Sequence, residues 1–262
     1  MKRFHITYIM NLSVNHAINH HYFSFRCLPK EGGRQVVDYT KVRLDADYYA
    51  YSYDCFQNRL LYGYTEASAT ALHVLMESQV HVDNGTYDTN SRLCSPLRLP
   101  TQQTTPGKAL AEFIASCRPV CEMMDRDVEK VKYIMTAVFA YMTYEKGSTD
   151  IKTTAEDAFA KGRGVCQDYA QIMLTVLRAL GFAARYVAGL MVNEPLSHAW
   201  VDVYVDGKWQ GFDPTNNRLV DDDYVVLSTG RDYTDCLVNK GIFYCPEPVT
   251  QRSDIVVDMK EL

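Results

Sequence analysis

The pattern of apolar and polar positions changes character near residue 105. Before it, apolar residues come in short β-favouring runs at positions 22–28, 34–39, 41–44 and 71–82. In the last run Leu72, Val74, Met76 and Ser78 alternate with His73, Leu75, Glu77 and Gln79, the period-two signature of a half-buried strand. Pro29, Gly32-Gly33, Asp54, Asn58, Gly63 and Asp83-Asn84-Gly85 punctuate these runs. Many short strands with turn signals at this spacing predict an antiparallel β-sandwich. Met1 to Leu12 holds two basic residues and an apolar stretch broken by His5, Thr7, Tyr8 and Asn11, with no small-residue cleavage site behind it. It reads as a first strand rather than a signal peptide.

Residues 95–106 hold Pro96, Pro100 and Pro106 in a Thr/Gln-rich stretch, the composition of a linker or surface crossing. Helical spacing follows. A helix is predicted from Lys108 to Cys117. The next is capped by Asp125 or Asp127 and carries Val128, Val131, Ile134, Met135, Val138, Phe139 and Met142 on one face. Thr153-Thr154-Ala155-Glu156 opens a short helix over 155–160. The segment 165–180 is apolar nearly all round, which marks a central helix, and Gly181 stops it. Strands are then predicted at 183–190, 198–205, 208–213 and 224–227. The fold class is therefore α+β, with a β-rich unit over 1–104 and a second unit over 105–262.

At 262 residues and 47% hydrophobic content the chain can build a substantial core. A net charge of -5 argues against a nucleic-acid partner, and no run of 18 apolar residues predicts a membrane span. The eight cysteines are too sparse for a disulfide scaffold and form no paired CxxC clusters, so no structural zinc is expected. Cys117 and Cys121 share a helix face and read as buried thiols. Without an export signal, reduced thiols in a cytoplasmic protein are the default expectation. Asp221-Asp222-Asp223 reads as a solvated acidic loop rather than a cation site, and His20-His21 as exposed.

The chemistry concentrates around Cys166, in Gly162-Arg163-Gly164-Val165-Cys166-Gln167-Asp168-Tyr169-Ala170. This glycine-rich turn enters the central helix. Unpaired N–H groups and the positive end of the helix dipole favour a thiolate there, and could stabilise an oxyanion on a bound carbonyl. An isolated cysteine is more often a small buried hydrophobe; Gly162 and Gly164, which allow close approach of a substrate, shift that balance. Downstream lie Ser197-His198-Ala199-Trp200 and Gly211-Phe212-Asp213-Pro214-Thr215. Asp206-Gly207 predicts a two-residue hairpin loop. Val205 then faces Lys208, Trp200 faces Asp213, and His198 sits a diagonal step from Asp213 on the same face. A loop one residue longer would destroy this arrangement. Taken singly, His198 could be a satisfied core or surface histidine and Asp213 a turn residue before proline. Their joint placement beside a cysteine at a helix start is harder to obtain by chance. Zinc binding by the three would lack a fourth ligand.

At these motifs the sequence resembles the transglutaminase-like superfamily, in its bacterial branch of papain-like cysteine enzymes. The resemblance rests on Gly164 to Ala170, Ala184-Arg185-Tyr186-Val187-Ala188-Gly189, Ser197 to Val201, Phe212-Asp213-Pro214-Thr215-Asn216-Asn217, Tyr144 to Thr149 and Gly230 to Asp235. Leu28-Pro29 and Asp54 to Asn58 resemble, more weakly, the β-rich domain that precedes the core in many bacterial members. The chain departs from the pattern in a short segment between Gly189 and His198, and at Cys236. The resemblance implies a papain-like core, with Cys166 as nucleophile, His198 as general base and acid, and Asp213 as orienting carboxylate. Hydrolysis of an amide in a peptide or protein substrate is the first expectation, because water is always available and nothing in the sequence specifies an amine site; no cofactor is expected. Transfer of a glutamine acyl group to an amine, acyl transfer from a thioester donor and a non-catalytic peptide-binding module are the alternatives.

Overall fold

The computed structural model describes residues 1–262. The elements are, in chain order, β1 (Lys2–Phe25), β2 (Gln35–Leu44), β3 (Tyr48–Tyr53), β4 (Arg59–Thr65), β5 (Ala69–Val82), α1 (Lys108–Glu122), α2 (Asp127–Tyr141), β6 (Thr143–Tyr144), α3 (Ala155–Lys161), β7 (Arg163–Gly164), α4 (Cys166–Ala179), β8 (Ala184–Met191), β9 (His198–Val205), β10 (Lys208–Asp213), β11 (Arg218–Leu219), β12 (Tyr224–Gly230), β13 (Asn239–Tyr244) and β14 (Gln251–Glu261). The fold class is α+β, as the segment pattern predicts.

The first strand is much longer than its opening residues suggested and organises the β-rich half. Phe4, Ile6, Tyr8, Met10 and Leu12 alternate into the core. The register then shifts between Ser13 and Ile18, and His20 adopts a left-handed conformation with φ 50. The first part of β1 pairs with β5 and β14, the last part with β4 and β13. The layers anticipated as a sandwich are thus two halves of one curled antiparallel sheet, ordered β2-β5-β1-β4-β3 and sharing β1. Both halves bury their inner faces in one hydrophobic cluster.

β3 and β4 were not anticipated, because Asp54, Asn58 and Gly63 read as breaks. Asp54 does make a tight turn, accepting the N–H groups of Phe56 and Asn58. Gly63, however, lies inside β4. The last two strands were not anticipated either. By sequence they fall in the unit expected over 105–262, yet both pair with β1, and Val257 and Met259 join the core of the first sheet.

The helical half packs around α4, whose Ile172, Met173, Leu174, Val176 and Leu177 are fully buried. One face rests on β8 and β9, and the others meet α1, α2 and α3. Thr154 and Asp157 cap α3 reciprocally. At α2 neither aspartate caps: Arg126 holds the cap position and Asp127 sits in the first turn, where its charge favours the dipole. α1 runs past Cys117 through Pro119, and buried Cys117 and Cys121 on one face hold its last turn down. The proline-rich crossing at 95–106 is pinned rather than free. Buried Arg178 of α4 donates to the Leu97 carbonyl at 3.1 Å and to Thr104 Oγ1 at 3.0 Å.

The second sheet runs β11-β10-β9-β8-β12, so β12 is an edge. Two amide side chains of the first half close that edge. Gln35 donates to the Val226 carbonyl and accepts its N–H, each at 2.8 Å. Asn58 does the same to Thr229, each at 2.8 Å. A bulge at Leu227, between Val226 and Ser228, turns the main-chain groups of Val226 and Thr229 to the same edge. Leu190, Val225 and Leu227 then bury against the first sheet, making one core across the junction.

Candidate active site

Cys166 is the first residue of α4 and half-buried. The turn before it is drawn tight by Asp168, whose Oδ2 accepts the Val165 N–H and the Thr149 hydroxyl, each at 2.7 Å. A Cβ at Gly164 would stand 2.5 Å from that carboxylate oxygen, so only glycine lets the strand lie so close. Burial pushes the Asp168 carboxyl above its ordinary range, against the pull of these two hydrogen bonds. Tyr144, on β6 beside the turn, and Tyr186, on β8, both stand near Cys166; burial first, then charge on that sulfur, pushes both phenols up.

His198 opens β9 and Asp213 closes β10. Their meeting follows from register. The hairpin pairs Val205 with Lys208 and continues to Val201 with Phe212, as the Asp206-Gly207 loop predicts. Trp200 and Asp213 lie one step beyond the last pair. Ala199, Val201, Val203, Val205 and Phe212 face the helical core, while Trp200 faces the other way. His198 Nε2 lies 2.8 Å from Asp213 Oδ2. The Cys166 thiol is a hydrogen-bond neighbour of the same imidazole. Since Asp213 takes Nε2, Nδ1 is the nitrogen left for the sulfur. All three residues singled out in the sequence therefore come together.

Burial works to lower the His198 pKa, but hydrogen bonds and charge from Asp213 and Cys166 outweigh it and raise it to about 10. Burial works to raise the Asp213 pKa, but His198, Asn216 and Tyr224 hold it below the ordinary carboxylate value. Asp213 is fully buried and heavily donated to. Its Oδ2 accepts from Tyr224 Oη at 2.8 Å and Asn216 Nδ2 at 2.8 Å. Its Oδ1 accepts the N–H of Thr215 at 2.9 Å and of Asn216 at 3.2 Å.

Two contributors, Asn216 and Tyr224, were given no role by sequence reasoning, and a third, Trp200, was placed opposite Asp213 by register but without its packing. Asn216 had a signal, since Asp-Pro-Thr-Asn is the composition of a turn in which aspartate accepts the following N–H groups. Tyr224 had none nearby; it arrives on β12. Trp200 is completely buried, with its ring centroid 6.4 Å from that of His198 and 5.3 Å from that of Tyr224. Gly189 makes room for it, because a Cβ there would come within 2.3 Å of the indole and of the Val225 carbonyl.

Other candidates stay apart from this site. The carboxylates of Asp221, Asp222 and Asp223 lie within 4.8 Å of one another, and Lys2 reaches Asp223 at 2.6 Å while Arg218 pairs with Asp221. All eight cysteines are free thiols. No helix is long and apolar enough to cross a membrane.

Residues 115–214 match the family model of the transglutaminase-like superfamily. An uncharacterized protein of Mycobacterium tuberculosis is 34% identical over 148 residues, covering 50% of this chain and 46% of that protein. One from Mycobacterium leprae is 37% identical over 131 residues, 46% of each. The chain thus spans about half the length of the curated relatives it matches. A crystal structure of a candidate cysteine protease from Cytophaga hutchinsonii superposes with a TM-score of 0.82 at 20% identity, covering 100% of this chain and 91% of that one. That likeness establishes a shared fold over the whole chain. Cys166, His198 and Asp213 all fall within the segment that matches the transglutaminase-like family model.

Proposed function

We propose that the chain hydrolyses an amide or peptide bond through a thioester on Cys166. The observation that carries this reading is the 2.8 Å contact between His198 Nε2 and buried Asp213, with the thiol on the other side of the same ring. In this scheme His198 Nδ1 holds the proton that the thiol has given up, and the Cys166 sulfur attacks the substrate carbonyl carbon. The carbonyl oxygen gains charge beside the helix N-terminus, where N–H groups lack intrahelical acceptors. The tetrahedral adduct collapses, the C–N bond breaks, and the Nδ1 proton goes to the leaving amine. Water, deprotonated by the same nitrogen, then attacks the thioester and releases the acid and the thiol. Asp213 fixes the tautomer and balances the imidazolium.

The test is trapping. The full chain is incubated with a library of peptide amides and glutamine amides, quenched in acid, and the Cys166 peptide is examined by mass spectrometry. An acyl adduct on Cys166, absent in Cys166→Ala, supports the reading. An adduct discharged only by added amine would assign acyl transfer instead. Labelling of Cys166 by iodoacetamide no faster than that of the other cysteines near pH 7, with no adduct from any substrate, would leave a binding module.

A further inference from the structure

On the side of β9 and β10 away from the helices, a cavity of about 830 Å³ lies between the two halves of the chain, and Cys166, His198 and Asp213 do not line it. Its size is that of a small-molecule site, for which about 300–1,000 Å³ is typical. Its charges divide into spent and unspent. Arg185 is held by Asp88 at 3.0 Å and by Asp202 at 2.9 Å, and its guanidinium lies 4.3 Å over the Trp209 ring. Asp221 pairs with Arg218, and Glu31 and Arg92 are exposed at the rim, where water screens them.

Lys30 and Arg34 are different. They flank the Gly32-Gly33 turn on the cavity wall, and neither has a carboxylate within ion-pair distance. Lys30 donates only to the Phe56 carbonyl and Asn58 Oδ1. Arg34 donates only to the carbonyls of Val220, at 3.3 Å, and Tyr224, at 3.1 Å. Ammonium has three donors and guanidinium five, so both keep unmade hydrogen bonds. The N–H groups of Gly33 and Arg34 likewise find no protein acceptor. Burial lowers the pKa of both side chains, that of Lys30 to about 8. Both are half-buried, and a cation partly withdrawn from water with no ion-pair partner is costly, a cost that a bound anion would relieve.

We propose that this cavity binds a small molecule through an anionic group, carboxylate or phosphate, seated between Lys30 and Arg34. The molecule reports on itself, because the chain has 2 tryptophans and both, Trp200 and Trp209, line the cavity. The full chain is titrated with sodium phosphate, with succinate, and with sodium chloride at matched ionic strength, reading tryptophan emission and thermal midpoint. A saturable response to phosphate or to succinate, absent with chloride, is expected, and the stronger of the two identifies the group. Lys30→Gln and Arg34→Gln are each expected to raise the half-saturating concentration about tenfold, as loss of one charge-assisted hydrogen bond implies. Exposed Arg252→Gln is expected to leave it unchanged. Responses that follow chloride, or Gln variants that keep the wild-type circular dichroism and bind as the wild type does, would overturn the proposal. The wild-type midpoint decides alone should both variants unfold: a rise that saturates with phosphate or succinate supports the site, and no rise overturns it.

Discussion

His198 is a residue whose protonation the fold controls strongly. Its pKa is raised to about 10, against about 6.5 in an unfolded chain. The folded state therefore holds a proton that the unfolded state gives up. The stabilisation is complete below about pH 6.5 and is lost as pH rises through 10. Relative to His198→Gln, wild-type stability is expected to shrink steadily between pH 6.5 and 10; urea titrations at several pH values check this, and a constant gap would refute it. Asp213→Asn is expected to lower activity about 10²–10⁴-fold and to move the alkaline limb of the pH–rate profile down, since the charge that holds the imidazolium is gone. Tyr224→Phe removes one of several donors to Asp213, so its effect is expected to be smaller, about 1.5–3 kcal/mol in stability for a bond to a charged group. Cys166 and the His198–Asp213 relation were legible because each depends on local information: a turn entering a helix, and a two-residue loop that sets a register. Tyr224 was not, and of Trp200 only its place opposite Asp213 was, because the contacts of both rings are set by packing across strands.

Strands β9 and β10 matched their expected bounds because a tight loop and a period-two pattern agree. β3 was missed although its tyrosines favour sheet, because Asp54 and Asn58 looked like the boundaries of a loop; the turn is real, and strands begin directly on either side. β13 and β14 were missed for another reason. Most of their side chains are exposed, so the alternation that marks a half-buried strand is faint, and what orders them is pairing with a distant β1. At the element level the close approach of β8 to Trp200 is the sharpest constraint. Gly189→Ala is expected to cost about 1–3 kcal/mol by overpacking and to lower activity as well, because the displaced indole neighbours the imidazole. Equilibrium unfolding and steady-state rates on the same preparation separate the two effects, and an Ala variant unchanged in both would show that the indole has room to move.

For the whole molecule, the expected division at residue 105 describes composition better than it describes contacts. The second sheet contributes Leu190, Val225 and Leu227 to the core of the first sheet, and the chain's end returns to β1. A single cooperative unfolding transition is therefore expected for the whole chain by both tryptophan emission and far-ultraviolet circular dichroism; two separated transitions would contradict the shared core. Asn58→Ala is expected to lower stability by on the order of 3 kcal/mol, because it strands the buried N–H and carbonyl of Thr229. Gln35 and Asn58 grip chiefly main chain, the Thr229 hydroxyl adding only a 3.5 Å contact to Asn58 Oδ1. The seam consequently depends little on which residues stand at positions 226 and 229, provided the bulge between them is kept and 229 stays small enough to bury. Both positions also line the cavity. Sequence drift there can reshape what the cavity accepts without loosening the joint, so this fold separates the part that must stay constant from the part that is free to evolve.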